Sequence, residues 1–256
     1  MDVTTLQKRI VEISAQAREG HIPSALSILD ILTVLYDKVL RFDPGRPEWE
    51  ERDRFVLSKG HGSLALYTIL AGKGFFAAAE LEAFGKYNSI LGGHPDRTKI
   101  PGVEVSSGSL GHGFPIAVGM ALGLKMKNNT SSKVFVLIGD GEANEGSVWE
   151  AALLAAHHSL TNLYCIVDNN HSTDRALAMG DIAAKFSAFG WDTQTINGHN
   201  QAEILPALLT KTTDKPLAVI ANCIKGHGCK IMENNPAWHH RVPSVNESKL
   251  ILEDMV

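Results

Sequence analysis

Asp140 and Asn170 are the two residues whose surroundings best suit joint chemistry. Asp140 follows the apolar run VFVLIG (134–139) and stands directly before Gly141 and Glu142. Asn170 closes the next such run, LYCIVD (163–168), within Asp168-Asn169-Asn170. A carboxylate at a strand end offers a hard oxygen, and a glycine ahead of a helix lets phosphate approach the backbone. The helix N-terminus then favours the negative charge. If the two strands are parallel neighbours, their carboxyl ends meet, and Asp140 and Asn170 can share one small octahedral cation with ligand oxygens. Gly, Asp and Asn also dominate ordinary turns, so either motif alone reads as a turn. The pairing is what points to a metal-bound phosphate. A second set of groups is the histidines beside glycine: Gly20-His21, Gly60-His61-Gly62, Gly93-His94 and Gly111-His112. Histidine titrates near neutrality and both donates and accepts protons. In isolation, each of these is more often a loop residue than a catalyst.

The elements that must position these groups alternate along the chain. Residues 1–20 carry an amphipathic helical pattern, and 24–40 place Leu, Ile, Val and Tyr at three- and four-residue spacings after Pro23. FVLS (55–58) is a short strand, then a glycine-rich turn, then a helix to about Ala71. The stretch 112–126 is helical, with Gly119 and Gly123 suited to close helix contact. VFVLIG, LYCIVD and LAVIANCI (217–224) are continuous apolar runs of the kind covered on both faces of a sheet. Strand–helix–strand alternation predicts an α/β fold, a parallel sheet with helices on both faces. In such sheets ligands lie beyond the carboxyl ends of the strands, where Asp140 and Asn170 fall.

The 256 residues, 44% hydrophobic and 20% charged, suit a globular chain with one large core, and residues 1–256 read as a single domain. A formal net charge of −4 with dispersed Lys and Arg gives no field for nucleic acid or an anionic membrane. No apolar run reaches the ~20 residues needed to span a bilayer, and the first twenty residues lack a signal-peptide core. Cys165, Cys223 and Cys229 are odd in number without a CxxC pair, which reads as reduced thiols of a cytoplasmic protein.

The ordered motifs GH (20–21), DRFVLSKGHGSLALY (53–67), GGHP (92–95), PGVEVSSGSLGHG (101–113), GDGEANEGSVWE (139–150), DNN (168–170), AFGW (188–191), KGHG (225–228) and WH (238–239) resemble the transketolase family. They run in the family's order over nearly the whole chain and match the N-terminal, diphosphate-binding third of a full-length enzyme. The resemblance implies thiamine diphosphate held through Mg2+ (or Ca2+ or Mn2+). Asp140 and Asn170 resemble the side-chain metal ligands, with the carbonyl of Ser172 completing the set. His61 and the amide of Gly141 resemble the groups that reach the diphosphate, and Lys225 and His239 resemble a pair beside it. Gly108, Ser109 and Leu110 resemble the loop against the aminopyrimidine. His21 and His94 resemble the histidines lining the channel to the reacting carbon. His112 stands where many relatives have Gln and suits a donor to cofactor or substrate. Glu145, with Glu150, resembles acidic residues that link two active sites across a subunit interface. His240 stands where most relatives have glycine, and no role is assigned to it.

What the resemblance implies is transfer of a two-carbon ketol unit from a ketose or its phosphate to an aldose. The partner expected is a second chain with the pyrimidine-binding and C-terminal domains and the glutamate that activates the cofactor, in an α2β2 heterotetramer. The helix after Glu145, with its face of Ala151, Ala152, Leu153 and Leu154, is expected at the interface. The rival readings are a related thiamine enzyme acting on a sulfo-sugar or loading a carrier protein, a 2-oxo-acid dehydrogenase α-subunit, and a non-catalytic homologue. SKGHGSLALY and SSGSLGHG fit transketolases better than the dehydrogenases. The segment after Asn170 is shorter than in full-length relatives, and EGHIPSALS departs from their SGHPG.

Overall fold

A computed structural model describes residues 2–255. Five strands form one parallel sheet: β1 (Arg54–Leu57), β2 (Val134–Gly139), β3 (Leu163–Asn169), β4 (Asp192–Asn197) and β5 (Leu217–Asn222), in the order β1-β2-β3-β5-β4. The three apolar runs of the sequence are β2, β3 and β5, the inner strands. Every residue of β2 is buried, because helices cover both faces. Their side chains alternate between two cores. Phe135, Leu137, Tyr164, Ile166 and Val219 face one, and Val134, Val136, Ile138, Cys165 and Val167 face the other.

The first core is covered by α1 (Val3–Ala17), α2 (Ile22–Leu26), α3 (Leu29–Val34) and α4 (Ser63–Gly72). The second is covered by α5 (Gly113–Met126) and α6 (Gly146–His157). Two short helices follow β3, α7 (Asp174–Leu177) and α8 (Ile182–Ala188). The chain then adds α9 (Gln201–Leu209) on the first face and ends in α10 (Val245–Asp254), which packs near α1. α1 starts from Asp2, whose carboxylate accepts from the amide of Thr5, and stops at Arg18 in the left-handed region. Among the described residues no helix is long and apolar enough to cross a membrane.

Three features depart from the sequence reading. The helix expected over 24–40 is broken: α2 ends at Leu26, α3 begins at Leu29, and the chain closes in a wider π turn over Leu35–Val39. The break frees Ser27 to donate its hydroxyl to Asp168 Oδ1, 2.7 Å away and buried. β4 has no apolar run, because an edge strand is covered less: of DTQTIN only Ile196 is buried. Gly119 and Gly123 make no close helix contact within the chain. A Cβ built at either would meet nothing within 4 Å, so both look outward from α5.

Candidate active site

The register of the inner strands sets the site. Gly139 lies opposite Asp168, and Asp168 opposite Ala221, so Asp140 and Asn170 leave the sheet side by side as expected. Asp168 is fully buried and holds a network. Lys59 pairs with its Oδ2 at 2.5 Å, both side chains 2% exposed or less, and the amide of Asn170 donates to the same oxygen at 2.8 Å. Burial alone would raise the Asp168 carboxyl, but the Lys59 ammonium outweighs it and holds the group below its usual range. Because Asn170 spends its NH2 on Asp168 and on Ser27 (3.2 Å), its carbonyl oxygen is turned the other way, where it accepts from the Ser172 amide at 3.1 Å. Lys59, Asp168 and Ser27 therefore orient Asn170. None of the three was singled out from the sequence as a site residue; the signal was present in SKGHG and DNN, but a lysine in a glycine-rich turn reads as a surface group.

Asp140 supplies the clearest sign that the site takes a ligand. Its Oδ1 accepts from the Gly141 amide at 2.8 Å, while its Oδ2 is buried with no hydrogen-bond partner. Burial and then the neighbouring Asp168 push its carboxyl up. A cation at Oδ2 would satisfy the orphan oxygen and reverse that shift. Asp140, Gly141, Asn170 and Ser172 line one cleft of about 310 Å³ with Lys59, His61, Leu110, Lys225 and His239. Thr173 and Ala176 roof it from the segment after Asn170. A hard anionic oxygen, an amide carbonyl and two ammonium groups are the donor set that a metal-bound diphosphate requires.

The histidines converge at the other end of the cleft. His21 lies 5.4 Å from His61, 6.3 Å from His94, 5.4 Å from His239 and 4.3 Å from His240, between ring centres. Burial, with the neighbouring cationic groups, lowers His21 to about 4 and His61 to about 2. Both are neutral at pH 7, suited to hydrogen bonding rather than to carrying charge. Lys225 Nζ lies 2.9 Å from His239 Nδ1; burial first, and Lys59 second, bring Lys225 down to about 8. His240, left without a role by the sequence, stands beside His21 with Nε2 3.6 Å from Glu19.

The loop carrying Gly108, Ser109 and Leu110 is wedged against this channel. A side chain at Gly60 would strike the backbone of Ser107 at 2.8 Å, and one at Gly108 would come within 3.2 Å of the His94 ring. Glu142, not singled out from the sequence, holds that loop from behind. Its Oε1 accepts from the amide of Gly111 (2.9 Å) and the hydroxyl of Ser58 (2.5 Å), and burial pushes its carboxyl up. His112 and Glu145 are not among the residues lining the cleft. His112 is exposed with Nδ1 3.0 Å from its own loop's Leu110 carbonyl. Glu145 is exposed at the start of α6, as is Glu150.

The fold and cleft define an α/β protein with a charged anion pocket at the carboxyl edge of a parallel sheet. Residues 3–248 match the family described as the transketolase, thiamine diphosphate binding domain. One of the two subunits of the apulose-4-phosphate transketolase of Phocaeicola vulgatus is 40% identical over 261 residues, covering 96% of this chain and 92% of that one. The 6-deoxy-6-sulfo-D-fructose transketolase subunit SqwG of a Clostridium species is 38% identical, covering 92% and 88%. Human transketolase is 36% identical over 96% of this chain but only 40% of its own length. The crystal structure of transketolase from Campylobacter jejuni superposes with a TM-score of 0.91 at 31% identity, covering 98% of this chain and 42% of that one. This chain belongs to the transketolase family, as a thiamine-diphosphate-binding domain. It spans about two fifths of the length of the solved transketolases and nearly all of the relatives named as subunits.

Proposed function

We propose that this chain is the diphosphate-binding subunit of a two-chain transketolase that moves a two-carbon ketol unit from a ketose or its phosphate to an aldose. The observation that carries this reading is the buried, unpartnered Asp140 Oδ2 facing a cleft that Asn170, Lys59 and Lys225 also line. Asp140, Asn170 and the Ser172 carbonyl would hold Mg2+, and His61, Gly141, Lys225 and His239 the diphosphate. Thiamine diphosphate, when bound, supplies the nucleophilic carbon and the electron sink for carbon–carbon cleavage. The chain's own share is to bind, to orient and to manage protons. Neutral His21 and His94 lie at the channel end, where they hydrogen-bond sugar hydroxyls and stabilise oxygen charge that develops in the transition state. The Gly108–Leu110 loop, braced by Glu142, shapes the wall against the aminopyrimidine.

The partner is a chain carrying the pyrimidine-binding domain and the activating glutamate, paired as α2β2 as the relatives' subunit names support. Exposed Ile116, Leu153 and Leu154 on α5 and α6 favour that association. Three buried, unpaired cysteines support a cytoplasmic setting. Residues 1–256 act as one domain in this reading. The test is reconstitution with the partner. The chain alone should show no ketol transfer, the mixture should restore it, and Asp140→Ala in the mixture should abolish magnesium-dependent cofactor retention by calorimetry. Robust turnover by the chain alone, or unchanged affinity in Asp140→Ala, would overturn the reading.

A further inference from the structure

His199 lies outside the cleft, yet its ring touches the segment that delivers Lys225. β4 ends at Asn197, whose side chain accepts from the His199 amide at 2.9 Å. Gly198 then packs so tightly on β5 that an added Cβ would lie 2.3 Å from Cys223 Sγ. This presses the His199 ring onto the chain just past β5. There the backbone amide of Ile224 donates to His199 Nε2 at 2.8 Å, while Nδ1 lies 3.0 Å from Asp30 Oδ2. Both side chains are at least nine-tenths buried.

These contacts fix the tautomer. A backbone N–H can only donate, so Nε2 must present its lone pair, and the ring proton sits on Nδ1 facing the carboxylate. Asp30, His199 and His227 have ligand atoms within 4.8 Å of one another, the spacing of a metal site. The tautomer excludes His199 from one: neither of its nitrogens has a lone pair free for an ion. His227 instead stacks on His199 at 3.7 Å. The triplet is a hydrogen-bonded brace.

The brace grips one side of Lys225. On the other side the amide of Gly226 donates to the Pro23 carbonyl at 3.0 Å, and Lys225's own carbonyl accepts from Asn234 at 2.9 Å. Gly226 sits at φ +84°, where a Cβ would strike the backbone of Met232 at 2.8 Å.

We propose that His199, held by Asp30, is a positioning residue that pins the Ile224 amide and thereby aims Lys225 at the diphosphate cleft. This rests on the diphosphate reading of the cleft. The two are separated by calorimetry of thiamine diphosphate with magnesium on the two-chain complex, with thermal melting as the check on folding. His199→Ala should weaken cofactor binding roughly 5- to 20-fold in the wild-type background, but less than about 2-fold in a Lys225→Ala background, because contacts acting through one group are not additive. A glutamine side chain reaches the Nε2 position and keeps the acceptor; an asparagine reaches only Nδ1. His199→Gln should therefore retain affinity within about 3-fold and His199→Asn should not. A role in packing alone would not rank them so. Equal losses from His199→Ala in both backgrounds, or Gln failing as badly as Asn, would overturn the inference while the diphosphate reading stands. Failure of the wild-type complex to bind cofactor would remove both.

Discussion

His61 and His94 serve different ends of one channel, so truncating each should disable the reconstituted enzyme differently. His61 lines the diphosphate cleft and His94 does not. Removing a donor to an anion costs about 1.5–3 kcal/mol, a roughly 10- to 150-fold loss of affinity. Excess cofactor should therefore recover much of the rate of His61→Ala. His94→Ala should lower turnover by on the order of 100-fold with cofactor affinity nearly intact, since groups acting in the transition state depress turnover itself. Cofactor titration of steady-state rates separates the two; rescue of His94→Ala by excess cofactor would reverse the roles. Lys225 adds a pH dependence. Its value of about 8 rises when an anion binds, because the charged form is then favoured. Affinity is thus full below about pH 8 and falls as pH climbs through that value, by up to about tenfold per unit. Calorimetry from about pH 7 to pH 9.5 should show this decline, and Lys225→Ala should flatten it.

At the scale of elements, what was legible in the sequence was set by burial. β2, β3 and β5 are covered on both faces and therefore appear as unbroken apolar runs, and Asp140 and Asn170 could be placed at their ends because parallel neighbours share a register. β4 was missed because an edge strand has little apolar surface to show. The pairs that brace the site were invisible for another reason: Lys59 meets Asp168 across 109 positions and His199 meets Asp30 across 169, distances no local period encodes. His112 and Glu145 were read into the site by likeness alone; this chain by itself places them at its surface. The KGHG segment offers a direct test. Gly226→Ala would add a side chain at φ +84° against the Met232 backbone, a strain of order 1–3 kcal/mol. It should lower the melting temperature by a few degrees and weaken cofactor binding together. A stability loss with unaltered binding would show that Lys225 does not depend on this turn.

For the whole molecule, the surface of α5 and α6 matters most. Ile116 is 44% exposed, Met126 76%, Leu153 59% and Leu154 45%, and Gly119 and Gly123 leave open space between them. An apolar, small-residue face of this kind marks an association surface. Leu153→Arg should leave the chain folded, because nothing in its own core covers that position, and should weaken assembly with the partner by about tenfold or more, since a buried unpaired charge costs several kcal/mol. Sedimentation of the mixed chains reads this; assembly at wild-type concentrations would place the interface elsewhere.

The interruption between α2 and α3 bears on how this protein can be improved by engineering. Substitutions that favour helix at positions 27 and 28 are natural choices for thermostabilisation, because one continuous helix has fewer frayed ends. Here the gain would come at the site's expense. Straightening the segment would swing Ser27 away from Asp168, release one restraint on Asn170, and leave a buried carboxylate short of a donor. A more heat-resistant variant selected at this position should therefore hold its cofactor less well.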